Sequence, residues 1–345
     1  MQRLSTAITW LRFTLIFFII LLHCYSVVGL EGSHATYSKV IYPFALWIGE
    51  TGVPGFFFIS GFLFFLSKKS YSQKLKTRFH TLLIPYLLWN GILLMLYLIA
   101  FAAGFPQEIN HRNIANYTFI DYLRLFWDRG SYDNGNFVPL LCPFWYIRNL
   151  LIMSLLSPLL FYIIRYAREA FLILIAGWWL FTYDNAFIPQ TILFFSLGAY
   201  FSIHEFNPLE LVIKHKKIFL VLFILFAITD IFTHTIYGTV FNLQAHRLSL
   251  IFNIPFLLIV ADYCVQKDYS YKMLPNAAFI VFAVHYPIVV VLRKICVAKF
   301  ASAPDSIHIL LYFLCIIIST LLSLLIYRIL EKFFPKLKSI LSGSR

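Results

Sequence analysis

Apolar residues dominate ten stretches of the chain: 8–29, 39–66, 79–102, 138–164, 169–184, 189–204, 217–234, 247–265, 275–297 and 306–330. A helix crosses a bilayer with about 20 mostly apolar residues, so each run predicts a transmembrane helix. The runs 169–184 and 189–204 are short and predict tilted or partly re-entrant segments. The first run is too long for a signal-peptide core. It carries Arg12 near its start and no small-residue cleavage site after it, so it reads as a retained span. Between the third and fourth runs lies one long polar stretch, 103–137, rich in Asn, Tyr and Asp. No linker, internal repeat or low-complexity tract interrupts the pattern. The expectation is a single all-α polytopic membrane domain over residues 1–345, with 103–137 as an extracytoplasmic loop inside it.

Composition agrees with the pattern. Charged residues are 12% of the 345, against roughly 25% in an average soluble domain. The 38 Phe and 21 Tyr exclude a disordered chain. The five cysteines, 24, 142, 264, 296 and 315, form neither a disulfide framework nor a metal-binding spacing. The formal charge of +13 is explained by topology. With the N-terminus in the cytoplasm, 19 of the 28 basic residues fall on the inner side, Lys272 and Arg345 among them, together with six acids that include Asp268. The whole excess is then inner, as loop charges that set orientation require, and no nucleic-acid partner is needed. Both termini are expected in the cytoplasm.

So few charges remain in the bilayer that each becomes informative, because an ionisable group at that depth marks a cavity or pathway by default. Arg12 and His23 lie in the first span, Glu50 in the second, Arg148 in the fourth and His285 in the ninth. His23 follows Arg12 by eleven residues, about 16 Å along a helix and close to three full turns, so both share one face. Depth counting sorts two clusters: Arg12, Ser60 and Arg78 toward the inner side, and His23, Trp145, Tyr146, Arg148 and His285 toward the outer. Glu50 falls between, in reach of Arg12 or, with unwinding near Gly49–Gly55, of His23. Each has an ordinary alternative. Either His can simply bond a neighbouring helix. Arg12 and Arg148 can snorkel to the two interfaces, Trp145 can be a belt aromatic, and Arg78 can set topology among Lys68, Lys69, Lys74 and Lys76. Glu50 can be a structural ion-pair partner. Gly52, Pro54, Gly55 and Gly61 default to helix packing.

The chain has no Walker A, GxGxxG, GxSxG or HExxH motif. No inner domain is long enough to bind ATP, which argues against a primary pump.

Taken together, several short motifs resemble the acyltransferase 3 family of bacterial membrane acyltransferases, from the first span to the C-terminus. Arg12 and His23 are similar to its Arg-x10-His signature, and Phe56–Phe62 resembles its FFxxSG motif. Arg78-Phe79-His80-Thr81 stands where the family carries two Arg, with Thr81 in the second place. Pro143–Ile147 resembles its PxWFL segment, Phe195–Gly198 its FxxG stretch, and Phe279–His285 its FxIYxxH segment.

The resemblance implies a stand-alone O-acyltransferase of the bacterial inner membrane. It would move an acyl group, usually acetyl, from cytoplasmic acyl-CoA to a hydroxyl of a cell-surface glycan or lipid-linked saccharide. No cofactor would be permanently bound: acyl-CoA is a co-substrate, and membrane lipid the surrounding partner. Such chemistry needs a base, an oxyanion stabiliser and donor binding. The expected roles are His23 as base, with His285 or Tyr146 donating to the oxyanion. Arg12, Arg78 and Ser60 would meet the donor, and Trp145, Tyr146 and Arg148 the acceptor. Glu50 would set the charge state of Arg12 or His23. Direct transfer and an acyl-His23 intermediate both remain open. The competing reading is a transporter or flippase of a lipid-linked sugar, which intramembrane charges also suit, although no second copy of the motifs is present.

Overall fold

A computed structural model describes residues 2–28, 35–109, 111–130, 136–237, 242–267, 269 and 273–343. Lys272, Asp268 and Arg345 lie outside the described residues. The chain order is α1 (Gln2–Cys24), α2 (Ala35–Tyr42), α3 (Gly52–Leu66), α4 (Tyr71–Arg78), α5 (Ile84–Ala102), β1 (Glu108–Ile109), β2 (Arg112–Asn113) and α6 (Phe119–Arg124). It continues as α7 (Trp145–Leu155), α8 (Ser157–Phe181), α9 (Phe187–Ile203), α10 (Pro208–Lys214), α11 (Lys216–Tyr237), α12 (Leu243–Gln266), α13 (Met273–Phe300), α14 (Asp305–Phe333) and α15 (Pro335–Leu341). The fold is all-α apart from the two-residue strands. Large apolar side chains point outward, among them Val221, Ile224 and Leu225 on α11, each more than half exposed. Only a hydrocarbon solvent makes such a surface tolerable.

Seven stretches are each long and apolar enough to cross a membrane, and two further pairs of helices are bent by 71° at Leu155–Ser157 and by 92° at Ile203–Pro208. Contacts fix the direction of several. Antiparallel packing sets Gly49 against Leu22 and Gly52 against Ile19, so α3 ends at the face where α1 begins. Arg3 pairs with Asp262, which brings the end of α12 to that same face. The Tyr71 hydroxyl donates to Leu155 O at 2.9 Å, so α7 also ends there.

The fourth and fifth spans differ from expectation. α8 runs on through 157–181 but breaks at Arg168, whose φ of 48° and ψ of −127° are not helical. Its first half stays near the N-terminal face, where Ile164 O meets His204 at the end of α9 at 3.3 Å. Its second half crosses, because the carbonyls of Trp179 and Thr182 accept from Arg247 at the far end of α12. Trp89 Nε1 donates to Leu341 O at 3.0 Å, which returns the end of the chain to the N-terminal face.

Two of the motifs prove to be one joint. At the α3–α9 crossing a Cβ on Gly61 would stand 2.0 Å from Phe195 O, and one on Gly198 would stand 1.9 Å from Phe58 O. Only hydrogen fits at either place. The stretch 103–137 is no bare loop: β1 pairs with β2, α6 is capped by Thr118, and Ile109, Ile114, Leu125 and Leu140 form a small core of their own.

Candidate functional site

The inner cluster converges. Arg12, Ser60, Arg78 and Tyr146 line one cavity of about 320 Å³ with Ile16, Phe56, Ile59, Pro275, Asn276, Phe279 and Phe282. α1, α3, α4, α7 and α13 each supply part of its wall. Neither guanidinium meets a carboxylate among the described residues, and Arg78 lies over the Phe64 ring at 5.5 Å. Two guanidiniums without a carboxylate partner, in a chamber whose other polar lining is Ser60, Tyr146 and Asn276, have the chemistry to hold an anion.

Tyr146 belongs here and not to the outer group. It is the second residue of α7, its ring 4.7 Å from Phe57 and its hydroxyl 3.0 Å from Ser60 Oγ.

Above the cavity stands the histidine pair. The rings of His23 and His285 are 5.4 Å apart, and Tyr286 meets His23 edge-on at 5.0 Å. His285 is fully buried, and its Nδ1 lies 3.1 Å from Val281 O. A carbonyl only accepts, so Nδ1 carries the proton and a neutral His285 presents Nε2 as an acceptor. That nitrogen has no hydrogen-bond partner among the described residues. Phe282 separates the levels: it lines the cavity and lies 6.0 Å from His285 and 6.1 Å from Tyr146. The eleven-residue spacing therefore puts Arg12 on the cavity and His23 beyond its ceiling.

Three expected residues are placed otherwise. Trp145 stacks on Phe187 at 3.9 Å, is flanked by Phe57 and is only 7% exposed, so it offers no open face to a sugar. Arg148 does not snorkel. Its guanidinium donates to Trp127 O at 2.5 Å, to Phe137 O at 2.9 Å and to Asn149, clasping the extramembrane loop. Orphan loop carbonyls at that depth draw a five-donor cation more strongly than the interface does.

Glu50 pairs with neither Arg12 nor His23. Its carboxylate accepts from His246 Nε2 at 3.0 Å, and His246 Nδ1 meets Asp230 at 2.9 Å. The segment Pro43–Thr51 departs from α geometry, with a π turn and a 3₁₀ turn, and this rotates Glu50 toward α12 while Gly49 faces α1.

Asp230, His246 and Arg247 are not among the residues that the sequence singles out. The signal was present in Asp230, a carboxylate inside the seventh apolar run, four residues from its end, and too short to reach far. Arg129, from the loop, also lies within electrostatic reach of His23.

Comparison with known proteins agrees with this architecture. A family model described as an acyltransferase domain, acyltransferase 3, matches residues 5–341. The succinoglycan biosynthesis protein ExoH of Rhizobium meliloti (strain 1021) is 28% identical over 322 residues, which covers 87% of this chain and 82% of the relative. No solved structure matches. With nearly the whole chain matched by the model, this protein belongs to the acyltransferase 3 family and is a multi-pass membrane acyltransferase.

Proposed function

We propose that the protein moves an acyl group, acetyl in the first instance, from cytoplasmic acyl-CoA to a hydroxyl of a surface glycan or lipid-linked saccharide. The observation that carries this reading is the stacked arrangement of an anion-binding chamber with Arg12 and Arg78 directly beneath the His23–His285 pair. The relative's role in succinoglycan biosynthesis supports a glycan acceptor.

In this mechanism Arg12 and Arg78 hold phosphate or carbonyl oxygens of the donor. Ser60 and Tyr146 shape the passage for the thioester, and the Tyr146 hydroxyl is the donor toward the developing oxyanion. His23 takes the proton of the acceptor hydroxyl. The oxygen attacks the thioester carbonyl, the C–S bond breaks, and the imidazolium returns the proton to the departing thiolate. His285, with its Nδ1–H on Val281 O, steadies protonated His23 by accepting at Nε2, and the oxyanion is left to Tyr146.

The test is transfer in proteoliposomes from radiolabelled acetyl-CoA, with succinyl-CoA in parallel, to surface polysaccharide stripped of O-acyl groups by mild alkali. Wild-type transfer that disappears in His23→Ala supports the reading. Transfer by His23→Ala near the wild-type rate, at normal protein level, removes His23 as the base. Preference for succinyl-CoA replaces acetyl as the group moved.

A further inference from the structure

A second set of polar side chains lies outside the donor chamber, and no step above uses it. Asp230, completely buried on α11, accepts hydrogen bonds from four neighbours: His246, Tyr42, Asn242 and Ser249, the last two at 2.8 Å. His246, about one-tenth exposed, bridges Asp230 to Glu50. With both acids ionised, an imidazole facing an acceptor on each nitrogen must donate twice, which only its protonated form does. The assembly then carries two carboxylates and one cation, and the uncompensated charge falls at its open end. That end is Glu50.

The Glu50 side chain is 38% exposed, while Asp230 is fully enclosed. Its Oε2 is held by His246, and Oε1 has no hydrogen bond among the described residues. A carboxylate left open in an apolar bundle must face water or a polar ligand, because hydrocarbon would make it prohibitive. The backbone says the same: the π and 3₁₀ turns of Pro43–Thr51 are irregular at membrane depth, which is tolerated where the chain is enclosed by protein or lines a cavity.

The neighbourhood identifies the ligand class. Gly49 touches the backbone of Leu22, so the Cα atoms of Glu50 and His23 are at most about 14 Å apart, a distance that one oligosaccharide can span. Arg247 lies within electrostatic range of Glu50 and has donors beyond the one spent on Trp179 and Thr182. A fixed acceptor beside a guanidinium suits vicinal hydroxyls of a saccharide.

We propose that Glu50 binds hydroxyl groups of the saccharide acceptor through its free oxygen, with His246 and Asp230 as positioning residues that hold the carboxylate toward the site. This rests on the acyl-transfer reading for the identity of the acceptor, but its test does not depend on turnover.

The experiment is calorimetric titration of the detergent-purified protein with oligosaccharide fragments of the cell's own surface polysaccharide, de-O-acylated with mild alkali and without acyl-CoA. Glu50→Gln keeps an acceptor for His246 and so the fold. It should weaken saccharide binding about tenfold or more, the worth of a charge-assisted hydrogen bond. In turnover, Asp230→Asn should raise the saccharide KM about threefold or more and change kcat less, which loss of folded protein does not do. Equal binding by wild type and Glu50→Gln overturns the proposal and leaves acyl transfer standing. Wild-type binding that Glu50→Gln weakens, without acyl transfer from either donor, keeps this proposal and overturns the other. No saccharide binding by the wild type overturns it outright.

Discussion

The hydroxyls of Ser60 and Tyr146 meet at 3.0 Å, joining α3 to α7 across the wall of the chamber that Arg12 and Arg78 charge. Tyr146 is 9% exposed, so its hydroxyl is supplied by protein and not by bulk water. Tyr146→Phe removes the link and the donor proposed for the oxyanion, and Ser60→Ala removes only the link. Losing one neutral hydrogen bond corresponds to about a 3- to 10-fold effect. Steady-state acyl transfer should show that drop for Ser60→Ala and a larger one, in kcat, for Tyr146→Phe. Equal effects would confine Tyr146 to a packing role.

Arg12 and Arg78 predict a salt-sensitive donor site. Each should contribute a charge-assisted contact, so single Ala variants should weaken acyl-CoA binding by about tenfold or more. Raising ionic strength should weaken wild-type binding more than binding to either variant, because screening acts on what the variants lack. Equilibrium binding of labelled acetyl-CoA at two salt concentrations measures both. Donor affinity unchanged in the two variants would take the nucleotide out of this chamber.

The sequence carried the inner half of this site further than the outer half. Hydropathy runs located the membrane helices, seven of them long enough to cross alone and two more as bent pairs, and the 3.6-residue period placed Arg12 and His23 on one side of α1. Ser60 and Arg78 followed from depth alone. Depth counting failed where a helix starts late. The fourth apolar run begins at 138, but Cys142–Phe144 form a 3₁₀ turn and the helix begins at Trp145. Tyr146 thus turns into the chamber while Arg148 turns to the loop. It failed again at Glu50, because a periodic helix cannot anticipate the π and 3₁₀ turns that swing its side chain away from α1. The partner His246 stands one residue before the eighth apolar run, outside the stretch that hydropathy marks. Long-range pairing between spans seven and eight has no local signature.

Arg148 predicts a structural phenotype where a substrate contact was expected. It serves Trp127 O and Phe137 O with separate nitrogens while lying 4.9 Å from the Trp127 ring. Arg148→Ala strands these carbonyls, at about 1–3 kcal/mol for each buried group left unpaired. Lysine cannot reproduce a fork, so Arg148→Lys should rescue poorly. Hydrogen exchange over 119–130 should accelerate in both variants. Unchanged protection there would remove the clasp.

The α3–α9 joint predicts an all-or-none response. Gly198→Ala would drive its methyl into Phe58 O, and Gly61→Ala would do the same at Phe195 O, where the opposing atoms are backbone and cannot swing aside. Overpacking costs about 1–3 kcal/mol, and an immovable backbone neighbour puts these two sites at the upper end. Gly91, with nothing within 4 Å of its added Cβ, is the internal control. Thermal unfolding in detergent should show a large loss for 61 and 198 and none for Gly91→Ala. A mild effect at 198 would mean that the helices part easily and that the paired glycines are not what holds them.

The extramembrane unit predicts a specific acid limit. Asp121 accepts from the backbone N–H and hydroxyl of Thr118, each at 2.8 Å, and pairs with Arg112 at 3.0 Å. These contacts, the Thr118 backbone first, pull its carboxyl down to about 2. An unfolded Asp titrates near 3.9. A depressed value means that ionised Asp121 stabilises the cap of α6 fully above about pH 4, and that this contribution disappears as pH falls through about 2. Amides of 119–124, corrected for intrinsic exchange, should stay protected at pH 5 and lose protection between pH 4 and 2. Asp121→Asn keeps an acceptor but not the charge. It should start less protected at pH 5 and change little on acidification. A wild-type profile flat from pH 5 to 2 would show that the cap does not depend on the carboxylate, and that the loop is held by its small apolar core alone.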